Sequence, residues 1–468
     1  MSENKFYSKF VEKPQKKRAG KKSPAPETAR SSRKTTSTQE KKSAGKNNSS
    51  AAPKTARSSA KTHDTQKQSY TAKNSSSASY KKLSSLFNTQ GLPKESLSIL
   101  ENFDQIIQSV RPLNSKQLQK LPDDIRSLSH QLTDTRNERR LGYMNENIQL
   151  TAYVRYYTWW NLVRLTRLFS NLPEKSFPKN DEICLDLGSG PLTVIISLWL
   201  SRPELRKLKL TWYCLDVSSN SMALGEDLYL SIAAKTGEEP WKIIRVKGSF
   251  GTALKQKASF ITCANMINEM DQGAKMPPEY QTKKYFDQFN VYSTKDARFL
   301  LVEPGVPKAA RTLSLLRDRF IKSQKETAAP CPHLFECPMN GFKAYTGSKN
   351  KWCNFAFNTE DAPQKLLKLS ELAKLPKERA TLSFISVYPE EANHKENENL
   401  LCRITSDPFR LPSYKTGFYA CSKLGLVLLS FKPEEAEKIK SGDLLEVKIK
   451  TPDLLKTDEK SGAKIIQL

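Results

Sequence analysis

The sequence has no run of apolar residues long enough to cross a membrane, and its first residues lack the apolar core of a secretory signal. Histidine is scarce, with four in 468 residues. His63 and His130 fall in a polar tail and on a helical stretch, away from any nucleophile, so Ser-His-Asp or Cys-His hydrolysis is unsupported. Acidic residues are outnumbered, 49 Asp/Glu against 76 Lys/Arg, for a net charge of +27. Residues 1–82 hold 21 Lys/Arg against 5 Asp/Glu, which is +16 of that total, and almost no large apolar side chain between Phe10 and Tyr70. A segment with so little to bury cannot offset its ordering entropy, so residues 1–85 are expected to form a disordered basic tail with affinity for a polyanion. In that tail Lys outnumbers Arg, and Glu3 and Glu12 come early, unlike an Arg-rich, acid-poor transit peptide. A soluble intracellular protein is expected, without membrane contact, monomeric and cytoplasmic, with the mitochondrial matrix as the alternative.

What is present centres on Ile183–Thr193, ICLDLGSGPLT. An apolar run leads through Asp186 into two glycines and a proline, and Val194–Leu198 then resumes an apolar run, the pattern of a buried strand turning tightly into a helix. Gly188 and Gly190 lack the Cβ atoms that would hold a ligand off the backbone, and the helix start offers unpaired N–H groups, so the turn suits a nucleotide-like molecule. The next expected strand, Leu210–Leu215, ends at Asp216, where an acid can accept from ribose hydroxyls. Phe260–Ala264 and Arg298–Val302 read as further strands ending in polar residues: Asn265, Asn268 and Glu269 after the first, Glu303 after the second. Strands alternating with helices predict an α/β protein with an open, mostly parallel sheet and its ligand at the carboxyl ends of the strands. Asn268 and Glu269 either contact cofactor or substrate there or cap the next helix.

Around this sheet domain, placed at 179–325, the chain divides further. Residues 86–178 predict a helical region: one helix over Glu95–Val110, two short ones beginning at Ser115 and Asp123 with Pro122 ending the first, and a long aromatic-rich helical stretch from about Arg140 to Leu172. That stretch is expected to cover the sheet, with some tyrosine hydroxyls able to border a ligand. Arg311–Phe320 predicts a basic amphipathic helix. Residues 379–468 alternate short apolar runs with turns and predict a β-rich module.

Between them, 326–378 carries Cys331, Cys337 and Cys353 among prolines that fix the loop. In a reducing setting such clustering points to metal rather than disulfide, with a fourth ligand from His333, Cys402 or Cys421. Cys402 lies inside an apolar strand, whereas Cys421 stands at a strand-to-turn junction. Zinc and an iron–sulfur cluster suit soft thiolates equally, although the five residues between Cys331 and Cys337 exceed common zinc-ribbon spacing. Cys184, Cys214 and Cys263 sit inside strand runs as small buried hydrophobes.

Taken together, LDLGSGP, LDVSSNSMALGEDL, LVEPGVP, APCPHLFECP and KWCNF resemble the methyltransferase-like small-ribosomal-subunit assembly proteins of bacteria and mitochondria, over about residues 140–430. The resemblance implies a class I S-adenosylmethionine-dependent methyltransferase (Rossmann-like) fold, a [4Fe–4S] cluster, and association with the small ribosomal subunit and its rRNA. It matches Asp186, Gly188, Gly190 and Asp216 to the cofactor site and Cys331, Cys337, Cys353 and Cys421 to the cluster. Asn268 and Glu269 are then the candidates to orient a methyl acceptor. Where the family has a third glycine this chain has Leu192, whose side chain is expected to press on the methionine end of the cofactor. The alternative function is a non-catalytic assembly factor that binds small-subunit RNA through the tail and Arg311, Arg317 and Arg319.

Overall fold

A computed structural model describes residues 78–134, 142–270, 276–342, 351–390, 399–449 and 455–468. Residues 1–77, most of the expected disordered tail, and Arg140 lie outside this set. The strands, in chain order, are β1 (Ser79–Ser85), β2 (Ile183–Leu187), β3 (Thr211–Asp216), β4 (Lys242–Lys247), β5 (Ala258–Ala264), β6 (Ser293–Glu303), β7 (Lys325–Ala329) and β8 (Phe355–Asn358). They continue with β9 (Arg379–Pro389), β10 (Leu400–Ile404), β11 (Phe409–Arg410), β12 (Thr416–Ser422), β13 (Gly425–Phe431), β14 (Asp443–Lys448) and β15 (Lys464–Gln467).

The larger sheet runs β4-β3-β2-β5-β6-β9-β7, with β8 also on β9. It is parallel from β4 to β6, and β9 enters antiparallel between β6 and β7. Strand alternation sends Cys184, Cys214 and Phe260 to one face and Leu185, Leu215 and Ile261 to the other, so both faces are buried. Helices Trp159–Phe169, Thr193–Ser201 and Ser219–Thr236 pack on the first face, and Pro278–Tyr292 and Pro307–Lys322 on the second. The strand order reverses direction between β2 and β5, the kind of point at whose carboxyl ends open α/β sheets bind ligands.

The second sheet runs β1-β14-β10-β12-β13-β15, with β11 on β12. Its pairs are antiparallel except β13 with β15.

Four expectations are corrected. Residues 79–85 are strand rather than tail: β1 pairs with β14 from Ser79↔Lys448 to Ser85↔Asp443. Its sequence SYKKLSS is too polar to signal a strand, but Tyr80 packs edge-on against Phe431 at 5.2 Å and Lys82 reaches Asp443 at 2.7 Å. β9, expected in the β-rich module, belongs to the larger sheet, where it pairs with both β6 and β7. The expected helix over 95–110 is two, Lys94–Glu101 and Phe103–Val110, broken at Asn102. Pro122, expected to end a helix, lies inside one continuous helix, Ser115–Thr133, started by a capping box between Asn114 and Gln117. Leu121, Ile125 and Leu128 are buried on both sides of the proline, and their burial outweighs its cost of about 3 kcal/mol. The aromatic stretch contains a π-helical turn, Tyr153–Thr158, ahead of helix Trp159–Phe169.

Candidate functional site

The first locus lies at the carboxyl ends of β2, β3, β5 and β6. After β2 the chain turns through Gly188 (φ 68°) and Gly190 (φ 49°), left-handed conformations that cost glycine least. The N–H groups of Gly188 and Ser189 both donate to the Leu215 carbonyl of β3, at 2.9 and 3.2 Å. Helix Ser219–Thr236 approaches the turn so closely that a Cβ on Gly225 would stand 2.3 Å from the carbonyl carbon of Pro191.

Both sequence-predicted acids face this turn. Asp186 is buried: its Oδ1 accepts from Thr262 Oγ1 at 2.6 Å and its main-chain carbonyl from Ser189 Oγ at 2.7 Å, while Oδ2 is buried without a hydrogen-bond partner. Burial pushes its carboxyl up to about 7. Asp216 accepts the Gly190 N–H at 2.9 Å and the Ser218 N–H at 2.8 Å through separate oxygens, and burial raises it too. Met266 packs against Gly188, and Met144 stands 3.8 Å from where a Gly190 Cβ would be.

Leu192 adopts a left-handed conformation (φ 54°), and its side chain is fully buried in the core. Core packing holds a leucine where the backbone would favour glycine.

Asn268 and Glu269 lie half-buried on the short helix Met266–Met270, which follows β5. That helix is held by Glu303 at the end of β6, whose carboxylate accepts the N–H groups of Ile267 (2.9 Å) and Asn268 (3.1 Å). Glu303 is fully buried, and desolvation raises its carboxyl to about 8. Sequence reasoning missed Arg164 and placed Tyr153 only within an aromatic helical stretch some of whose tyrosine hydroxyls could border a ligand. Arg164 donates to Asn265 Oδ1 and Asn161 Oδ1, each at 2.9 Å, and to the Thr381 carbonyl at 3.1 Å, and burial lowers it to about 10. Tyr153, on the π-helical turn and stacked on Tyr157 at 5.5 Å, is raised by burial and by the charges of Glu269 and Asp216. The available signal was a lone arginine within the apolar run WWNLVRL.

The second locus gathers the cysteines. Cys337 and Cys421 are buried together with Met339, and Cys353 packs against them. Cys421 is pushed up by burial and then by the neighbouring thiols of Cys331, Cys337 and Cys353. His333 Nε2 stands 3.1 Å from Cys421 Sγ. Arg317 donates from Nε to Cys331 Sγ at 3.1 Å and from Nη2 to the His333 carbonyl at 2.7 Å, so it is a buried support of the thiols and not the RNA contact expected from the sequence. Arg403, also buried, donates to the Pro330 carbonyl at 3.0 Å. Among the described residues no three His, Cys, Asp or Glu side chains stand at metal-holding distance from a common point. Cys402, Cys184, Cys214 and Cys263 are core residues.

The donor chemistry fits the implied groups unequally. The partnerless Asp186 oxygen beside a glycine turn suits a polar ligand, whereas the thiols lie near one another beside two buried arginines without, among the described residues, meeting at metal-holding distance.

Residues 175–408 match the family described as "Mitochondrial small ribosomal subunit Rsm22". No curated protein matches the chain. Among solved structures, a class I S-adenosylmethionine-dependent methyltransferase from Listeria monocytogenes is similar at 12% identity, covering 65% of this chain and 90% of its own, with a TM-score of 0.29. A ribosomal protein L11 methylase from Lactobacillus delbrueckii subsp. bulgaricus is similar at 12% identity, covering 49% and 79%, with a TM-score of 0.26. A methyltransferase from Geobacter sulfurreducens in complex with S-adenosyl-L-homocysteine is similar at 10% identity, covering 49% and 90%, with a TM-score of 0.28. The fold is α/β and methyltransferase-like by its own strand order.

Proposed function

The chain belongs to the Rsm22 family of the mitochondrial small ribosomal subunit, and from that premise we propose that it is an S-adenosylmethionine-dependent methyltransferase-like protein acting on or with small-subunit rRNA. Its place is then the mitochondrial matrix, the alternative to the cytoplasm. The observation that carries the reading is the glycine turn at the sheet's reversal point, flanked by Asp186 with its partnerless oxygen and by Asp216.

In this reading Asp186, Gly188, Gly190 and Asp216 hold S-adenosylmethionine, which when bound supplies an electrophilic methyl on sulfur. The chain's own work is positioning. Each Asp216 oxygen keeps a second lone pair for a ribose hydroxyl, and burial raises the Asp186 carboxyl, which favours its protonated, donating form. Asn268 and Glu269, fixed by Glu303 at the same edge, orient the acceptor, since methyl transfer depends mainly on alignment of acceptor and methyl.

Cys331, Cys337, Cys353 and Cys421 would hold a [4Fe–4S] cluster, or zinc in its place. Either would fasten β12 of the second sheet to the cysteine-bearing insertion and couple their folding to the metal.

One observation favours the non-catalytic alternative. Gly190 N–H and both Asp216 oxygens already bond within the protein, and Met266 crowds Gly188. Calorimetric titration of S-adenosylmethionine into holo-protein tests the two: heat of binding supports the first reading, while no heat from a protein that still binds small-subunit rRNA supports the second.

A further inference from the structure

On the second sheet, the β11–β12 hairpin carries an unusual surface. Tyr414, near its tip, is 94% exposed, the largest exposure among the described large apolar side chains, and the described core offers it no packing. Ser413 and Tyr414 both take left-handed conformations, φ 60° and 56°, which neither residue type favours. The turn is closed by the Leu411 N–H donating to the Lys415 carbonyl at 2.8 Å. Local energetics alone give no reason to hold an aromatic ring in water on a strained turn.

Behind the tip, half-buried Phe409 and Tyr419 stack at 4.9 Å with an interplanar angle of 28°. Gly417, paired with Phe409, makes room for the ring: a Cβ there would stand 2.9 Å from Phe409 Cε2. Lys351 Nζ lies 3.8 Å from the centre of the Tyr419 ring. Arg410 and Lys415 flank the tip, and the nearby Asp407 carboxylate is taken up by Arg379 in a two-pronged ion pair. The hairpin therefore presents ring faces and cations with its neighbouring acid neutralised. Flat rings with interleaved cations match unpaired nucleobases on a phosphate backbone, whose faces stack on aromatics while Lys and Arg meet the phosphates.

We infer that the β11–β12 hairpin is a stacking platform for single-stranded RNA, with Tyr414 taking an unpaired base and Arg410 and Lys415 the adjoining phosphates. This rests on the reading that the protein works with rRNA. Tyr419 and Cys421 share one face of β12, and Lys351 and Cys353 are spaced alike, so the segments that converge at the thiols also bring Lys351 over the Tyr419 ring. The platform is thus built on the same framework as the thiol locus.

Fluorescence anisotropy of the full chain with a short unstructured RNA, and with the same RNA annealed into a duplex, tests this. Tyr414→Ala should weaken single-strand binding by roughly ten- to a hundredfold, the loss of one stacked base. Duplex binding and the salt dependence should stay as in wild type. Tyr414→Trp, which keeps a ring face, should restore affinity, and Lys415→Gln should lower the salt slope by about one. Wild-type binding of both RNAs by Tyr414→Ala would overturn the inference and leave the hairpin to a protein partner. A wild-type chain that bound neither RNA would instead sink the rRNA reading itself. Because Tyr414 is almost wholly exposed, its variants should unfold at the wild-type temperature, which separates a binding loss from a folding loss.

Discussion

Gly225 sets two opposed effects against each other. It lies inside helix Ser219–Thr236, where replacing Gly by Ala ordinarily gains about 0.8–1 kcal/mol of helix propensity. The added methyl would meet Pro191 at 2.3 Å from its carbonyl carbon and 2.7 Å from its Cα and oxygen. All three atoms are backbone and cannot rotate away. Carbon atoms pack at about 3.5 Å or more, so helix and turn must separate by about 1 Å, and such overpacking costs ~1–3 kcal/mol. The steric term wins, and Gly225→Ala should be destabilised by roughly 1–2 kcal/mol, read as a lower urea midpoint at unchanged slope. The displaced turn also carries the Gly190 N–H away from Asp216, so affinity for S-adenosylmethionine should fall with stability. Ala234→Gly, at an exposed position of the same helix, should cost about 1 kcal/mol of propensity and leave that affinity unchanged. A Gly225→Ala protein as stable as wild type would refute the close approach of this helix to the glycine turn.

Three further outcomes are expected. Asp216→Asn should weaken S-adenosylmethionine binding at least tenfold in calorimetry if a ribose is held there, and equal affinity would remove Asp216 from the site. Asp186 and Glu303 have carboxyls raised by burial to about 7 and about 8, so below about pH 4 folded and unfolded forms are equally protonated and these groups add no penalty; as pH rises the unfolded carboxyls ionise first and stability falls until the folded ones have titrated. Up to on the order of 4 kcal/mol per group is at stake, and Asp186→Asn with Glu303→Gln should flatten the decline of the urea midpoint between pH 5 and 8, so an unaltered decline would contradict the assignment. If the thiols hold the proposed iron–sulfur cluster, anaerobically prepared Cys337→Ser should lose iron, the brown absorption near about 400 nm typical of such clusters, and protection of β12 from proteolysis, whereas full iron content would exclude Cys337 as a ligand.

The parallel half of the larger sheet was legible because β2, β3, β5 and β6 are near-continuous apolar runs ending in Asp, Asn or Glu, the signature of strands buried on both faces. Asp186 and Asp216 were therefore placed correctly beside the turn. The apolar run of β9 suits either sheet, and only its antiparallel fit between β6 and β7 decides its home. β1 is nearly invisible because an edge strand held by main-chain bonds needs little side-chain pattern. Spacing assigns Leu192 to the turn without revealing that its side chain is fully buried in the core. Arg164 was passed over because an arginine in an apolar helix is legible only once Asn265 and Thr381 are beside it.

The two loci are joined by the loop that follows β6. Glu303 closes that strand and holds the helix bearing Asn268 and Glu269. Two residues later the Gly305 carbonyl accepts from Trp352 Nε1 at 3.2 Å and Asn354 Nδ2 at 3.4 Å, the residues on either side of Cys353. The Cys353 carbonyl in turn accepts from Ser383 Oγ of β9 at 2.8 Å. A shift of Cys353 would thus be felt first at Gly305 and then, through Pro304 and Glu303, at the helix bearing Asn268 and Glu269. The hydrogen bonds around Cys353 therefore tie the thiol locus to the carboxyl end of β6 on one side and to β9 on the other.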